Sequence, residues 1–287
     1  MKPFFTIIFF LNSLIVFCQV DLFFPLTNEF NWEDVEKQNQ EFKADFIKNL
    51  PEELGPCEEC GHFSYLENDL HIIDFNGDGL DDIIYNGYLG EPMYIIIYIN
   101  TGKSFTKIFT GTQQIHRIVI EDGKVRRLYI RDGGCCSVLI GVNKIYSVDY
   151  SDTLPKINYV SSMEYVDFRG HNYQIEVYPS HYFDKPIKFE ILNDRYNIRF
   201  APEIDDSTET MYCEDTVVNG NSLGKLKSGS IGYALAESVD STGRIWWFVA
   251  MEPSGTYETI YHKLTYNKFG FYKLGWISSR FVKEINE

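Results

Sequence analysis

The chain has 287 residues, 44% of them hydrophobic, which is enough apolar material for one to three domains with real cores. Asp and Glu outnumber Lys and Arg by 41 to 26, giving a net charge of -15. So acidic a chain is a poor ligand for nucleic acid, whose phosphates call for clustered Lys and Arg. Aromatics make up 16% of the chain, with 20 Tyr and 22 Phe, a bias that favours strands and excludes long coiled coils.

Residues 1–18 read as an export signal. Lys2 precedes an apolar run from Pro3 to Phe17, broken only by Thr6, Asn12 and Ser13. The run is short against the roughly 20 apolar residues of a membrane-spanning helix. Cleavage is expected between Cys18 and Gln19. An uncleaved anchor and lipidation at Cys18 are the alternatives, the latter disfavoured by the bulky Phe17 before it. A periplasmic or secreted protein is therefore expected.

Residues 31–50 are expected to form one amphipathic helix. Asn31 is placed as N-cap, Trp32, Val35, Phe42, Phe46 and Leu50 as the apolar stripe, and Pro51 as the stop. Cys57 and Cys60, then the adjacent Cys135 and Cys136, are two close pairs in a chain bound for an oxidising compartment. Disulfides are the first expectation, free thiols and a four-thiolate zinc site the alternatives, and Cys213 is the odd one out.

From 61 to 200 the pattern changes to period two. Strands are expected at 93–99, 104–110, 114–120, 124–130, 137–142 and 144–148, with Glu121-Asp122-Gly123 turning one hairpin. The expected fold class is mainly β: an antiparallel meander, partly propeller-like or a sandwich, with one N-terminal helix. Residues 201–210, acidic and poor in apolar anchors, read as a linker or exposed loop. Residues 211–287 form a second β unit.

The most specific motif is Asp74-Phe-Asn-Gly-Asp-Gly-Leu-Asp-Asp82. It places Asp74, Asn76, Asp78 and Asp82 at loop positions 1, 3, 5 and 9, the Leu80 carbonyl at 7, and Gly79 at the sharp turn. Ca²⁺ takes roughly six to eight hard oxygens, and alternate side chains on a tightly curved loop converge on one centre. An EF-hand needs a bidentate Glu at position 12, where this chain has Tyr85, and the flanking segments are strands. Residues 70–100 resemble the calcium-binding loop of FG-GAP repeats, the blades of integrin-type β-propellers. The resemblance implies a structural calcium ion held by Asp74, Asn76, Asp78, Leu80 and Asp82. No second such loop occurs, and 61–200 has room for only about three blades of about 40–50 residues. A smaller meander or sandwich carrying one propeller-type loop is therefore expected.

Residues 211–285 resemble a bacterial SH3-like domain, a small β-barrel. The resemblance rests on Gly-Lys-Leu-Lys-Ser-Gly around 224–229, Arg-Ile-Trp-Trp-Phe-Val at 244–249 and Gly-Trp-Ile-Ser-Ser-Arg-Phe-Val at 275–282. It implies recognition of cell-wall peptide or of an envelope protein through exposed aromatics. Tyr233, Trp247, Tyr257 and Tyr261 are the candidates, with Tyr257 and Tyr261 in an aromatic insertion at 252–272. Strand geometry puts one of Trp246 and Trp247 inside and the other outside, and Trp276 is assigned to the core.

No nucleophile elbow, HExxH, Walker loop or dinucleotide fingerprint occurs, and six His are scattered. The function expected is that of an exported, calcium-binding, non-enzymatic binding or adaptor protein of the bacterial envelope. A cell-wall hydrolase targeted by the SH3-like module, or an inhibitor or partner of a secreted enzyme, are the alternatives.

Overall fold

A computed structural model describes residues 30–50, 66–88, 93–132, 140–166, 179, 182–212, 216–253, 257–259 and 271–285. The expected export signal, Cys57, Cys60, Cys135, Cys136, Cys213 and Tyr261 lie outside these residues. The chain is mainly β and divides into two compact units. One comprises residues 29–136 and 141–160; the other contains 161–287.

In the first unit, β1 (Leu70–Ile73), β2 (Asp82–Tyr88), β3 (Met93–Asn100) and β4 (Phe105–Thr112) form an antiparallel four-stranded meander. A second layer is built from β5 (Gln114–Glu121), β6 (Lys124–Asp132), β7 (Ile140–Asp149) and the first residues of β8 (Lys156–Val166). The β5–β6 turn consists of Asp122 and Gly123 at φ 53° and 70°. Positive φ at both positions is the signature of the hairpin turn that Asp-Gly favours.

The run of isoleucines in β3 explains the layering. Residues 95–99 are all buried, so both faces of this strand are covered. Ile95, Ile97 and Ile99 join Phe75, Ile84, Ile115, Ile118, Leu128 and Ile130 in the core between the sheets. Ile96 and Tyr98 point the other way, into a core with Phe46, Leu70, Ile72, Ile83 and Tyr85. Helix α1 (Gln40–Lys48) closes that outer core, with Phe46 edge-on to Phe105 at 5.0 Å. Each fully buried Ile or Phe contributes about 1.5–3 kcal/mol.

The single helix expected over 31–50 is broken in two. Asn31 caps only a short 3₁₀ turn, Trp32–Asp34, by accepting from the Glu33 amide at 3.1 Å. Asn39 starts α1 by accepting from the Phe42 amide at 3.2 Å. Between them the Lys37 amide donates to the Ile72 carbonyl at 2.8 Å, a bond that draws the backbone out of helical geometry.

The second unit holds β9 (Ile187–Ile191), β10 (Tyr196–Arg199), β11 (Glu209–Tyr212), β12 (Thr216–Asn219), β13 (Ser222–Leu226), β14 (Ile231–Val239), β15 (Ile245–Met251), β16 (Tyr257–Thr259), β17 (Phe271–Ser278) and β18 (Val282–Glu284). The main ladder runs β18-β9-β14-β15-β17. β17 also pairs with β10 and, in parallel, with the end of β8; β10 continues to β13 and β16. Among the described residues this ladder stays open rather than closing into the expected barrel. The core contains Phe189, Ile191, Ile198, Leu226, Trp247, Val249, Met251 and Ile277.

β9 and β10 precede residues 201–210 yet pair with strands that follow them. The 201–210 stretch is exposed at Ile204 but firmly held. Buried Arg199 donates to the Asp205 carbonyl at 3.1 Å and to Asn221 Oδ1 at 2.8 Å, and its other nitrogen pairs with Asp206 at 2.9 Å. The Asn221 amide in turn donates to the Asp205 carbonyl at 2.9 Å.

Candidate functional site

The Asp74–Asp82 loop is the connection of the β1–β2 hairpin, closed by the Ile73–Asp82 pair. Gly77 and Gly79 take φ of 73° and 87°, which lets the chain curl tightly. Asp74 folds back over the curl. Its Oδ1 accepts from the amides of Gly77 (2.8 Å) and Asp78 (3.1 Å), and its Oδ2 from Gly79 (3.0 Å). Asn76 donates to Asp78 Oδ2 at 2.9 Å, and Asp78 Oδ1 accepts from the Leu80 amide at 2.8 Å.

Three anchors fix this loop to the first unit. Phe75, fully buried, plugs into the core between the sheets. The Tyr150 hydroxyl lies 2.9 Å from the Phe75 carbonyl and 2.7 Å from the Val125 carbonyl, tying the loop to the β5–β6 hairpin. The Tyr150 ring is flanked by Lys124 at 5.3 Å and Arg126 at 5.5 Å. Asp82, with no exposed surface, accepts from the Phe75 amide at 2.8 Å and the Asn100 amide at 2.7 Å. Burial pushes the Asp82 carboxyl up to about 6; the two amide bonds oppose that shift, and the charges of Asp78 and Asp74 reinforce it.

Asp81 points away from Asp82, as adjacent residues entering a strand do. It accepts from Lys37 Nζ at 2.8 Å and from Asn39 Nδ2 at 2.7 Å, so one carboxylate holds both the segment before α1 and the residue that caps it. Burial works against the Asp81 charge, but these two hydrogen bonds and the Lys37 charge win and its acidity is strengthened. For Lys37 burial likewise works against the charge, and Asp81, Asp74 and Asp82 outweigh it and raise its pKa. The sequence does not single out Lys37, Asn39, Asn100 or Tyr150, because their link to the loop is made by contacts distant in the chain.

Among the described residues no cluster of three or more His, Cys, Asp or Glu forms a ready metal cage. In the loop, Asp74, Asp78 and Asp82 bring carboxylates and Asn76 an amide oxygen. A carboxylate oxygen has two acceptor positions. Asp74 Oδ1 uses both of its positions on amides, and one remains on Oδ2. Each Asp78 oxygen and Asn76 Oδ1 is engaged by a single donor, leaving a second position open, whereas both Asp82 oxygens are buried on the amides of Phe75 and Asn100. Carboxylate, amide and backbone carbonyl oxygens are the donor types that Ca²⁺ takes. The ion would add charge neutralisation to a loop already folded by amide bonds.

In the second unit Tyr233 lies on β14. Its hydroxyl is 3.2 Å from Glu252 Oε1, Tyr272 meets its ring edge-on at 6.3 Å, and the Lys188 ammonium stands 5.8 Å from the ring centroid. Trp247, a ligand-face candidate in the sequence, is instead 8% exposed and packs on Phe189 at 5.7 Å. Trp246 is also buried and donates from its indole nitrogen to Asp240 at 2.9 Å. The inside–outside alternation fails for this pair because both faces of β15 are covered. Trp276 is buried as expected. Tyr257 starts β16, opposite Leu226.

Comparison of the chain with family models, with curated proteins and with solved structures returned no match. Among the described residues no helix is long and apolar enough to cross a membrane.

Proposed function

We propose that this chain is an exported, non-enzymatic binding protein of the bacterial envelope, in which calcium at the Asp74–Asp82 loop staples one β unit and the SH3-like unit recognises cell-wall peptide or an envelope protein. The observation that carries the calcium reading is the loop itself. Asp74, Asn76 and Asp78 stand on one tight curl at the spacing of a propeller-type calcium loop, and each keeps an oxygen with an open acceptor position. An exported chain meets millimolar rather than submicromolar calcium, so even a weak extracellular-type site fills there. The recognition reading rests on the order of SH3-like motifs and on the Tyr233–Tyr272 pair beside Glu252 and Lys188. Aromatic rings bury large area with little loss of rotamer freedom, so such a cluster is an efficient contact surface.

Retention of the purified chain on isolated sacculi, set against capture of proteins from periplasmic extract, tests the recognition reading. Saturable retention that drops on Tyr233→Ala supports cell-wall peptide, and specific capture that drops in the same variant supports a protein partner. Release of muropeptides from sacculi by the purified chain would overturn the non-enzymatic reading.

A further inference from the structure

We infer that Lys37 is a tethered competitor for the divalent cation at the Asp74–Asp82 loop and sets the affinity of that site without being one of its ligands. The inference rests on the calcium reading above and concerns a residue outside the loop.

The geometry is specific. Both acceptor positions of Asp74 Oδ1 are taken by the amides of Gly77 and Asp78, and one position of Oδ2 is taken by Gly79. The position left for a cation is therefore on Oδ2. That same oxygen lies 3.9 Å from the Lys37 ammonium. A cation bound by Asp74 must share its oxygen with a positive charge already present.

Lys37 is held beside the loop at both ends. Its amide is bonded to the Ile72 carbonyl at 2.8 Å, and its ammonium is held by Asp81 Oδ1 at 2.8 Å. Asp81 is itself fixed by Asn39, the cap of α1. In this position the ammonium lies within the field of the loop and opposes a cation that enters. The Lys37 side chain is 39% exposed and that of Asp74 23%, so water and salt weaken the effect without abolishing it.

This arrangement lowers affinity by design of charge placement rather than by loss of ligands. It leaves the loop folded when no divalent ion is bound, since part of its negative charge is already offset. It also tunes the site toward the high calcium of an extracellular compartment.

The test is calorimetric titration of the full chain with calcium chloride in chelator-treated buffer, for wild type, Lys37→Met and Lys37→Arg. Met keeps the length of the stem and removes the charge; Arg keeps the charge. Far-UV circular dichroism and the melting curve in chelator establish that all three are folded. Lys37→Met is expected to bind calcium about three- to tenfold more tightly than wild type, and Lys37→Arg to stay within about twofold of it. Raising the salt from 0.05 to about 0.5 M is expected to shrink the gap, because the Debye length contracts. Equal affinities for wild type and Lys37→Met, or weaker binding by Lys37→Met, overturn the competitor role while leaving the calcium site intact. No calcium binding by any of the three overturns the site and the competitor together.

Discussion

Tyr150→Phe isolates the bond that ties the loop to the β5–β6 hairpin. The substitution removes one hydroxyl and leaves the ring between Lys124 and Arg126. A single O–H is shared between the carbonyls of Phe75 and Val125, at 2.9 and 2.7 Å. The Phe75 carbonyl keeps a second donor, the Val125 amide at 3.0 Å, so no carbonyl of the loop is stripped bare. The loss should therefore fall within the net worth of one hydrogen bond, about 1 kcal/mol. Tyr150→Ala also removes the buried part of the ring and its two cation contacts, and should cost about 3–4 kcal/mol. In urea, with a slope of about 2 kcal/mol/M, these losses move the midpoint by about 0.5 M and about 1.5–2 M. The titrations belong in chelator, so that calcium does not mask the difference. A Tyr150→Phe midpoint equal to wild type would show that the hydroxyl does not bridge the two carbonyls. A Phe variant as damaged as the Ala variant would show that the ring contributes nothing.

Trp276→Ala in the second unit should cost about 3–5 kcal/mol, because the indole is buried and packs on Phe248 at 5.2 Å; a loss under about 1 kcal/mol in the same urea assay would contradict that placement. His71 supplies a pH test. It stacks on Trp32 at 3.6 Å and meets Glu36 at 3.1 Å, while Glu36 also pairs with Lys43 at 3.6 Å. Burial lowers the His71 pKa below 6.5, the bond and charge of Glu36 oppose this, and Lys43 adds to it. The Glu36 and Lys43 charges already cancel, so a proton on His71 leaves a net buried positive charge. The unfolded chain binds that proton from about pH 6.5 downward and the folded chain only at lower pH, so stability is lost as pH falls below about 6.5. His71→Gln should flatten the stability curve between about pH 7 and 5; an unchanged difference between the two proteins across that range would refute the buried-neutral assignment.

What could be read from the sequence was what is encoded locally. The spacing of Asp74, Asn76 and Asp78 fixes a curl because each side chain bonds an amide two to five residues on. Asp122-Gly123 fixes a hairpin because both residues tolerate positive φ. What could not be read depends on distant partners. The helix over 31–50 splits because Lys37 pairs with Ile72, more than thirty residues away in the chain. Trp246 and Trp247 are both inside because β15 is covered on both faces. Within the acidic stretch 201–210, Ile204 and Asp206 are exposed while Ala201 is buried. The stretch gives no sign that Arg199, Asp205 and Asn221 fold it back so that β9 and β10 join the strands beyond it. The Asp81–Asp82 doublet reads as a single acidic feature, although one carboxylate anchors the α1 segment and the other is buried under Phe75.

The most direct test of the account is the melting temperature of the full chain with calcium and with chelator, for wild type and for Asp78→Ala. Asp78 is exposed and makes only local contacts within the loop, so the variant is expected to fold. An ion that binds only the folded chain stabilises it by about 2.7 kcal/mol at a hundredfold excess over Kd, or several degrees for a unit of this size. The account predicts that calcium raises the wild-type melting temperature by about 5–10 °C over the chelated protein, and leaves Asp78→Ala unmoved. Wild-type curves that superimpose in calcium and in chelator would contradict it.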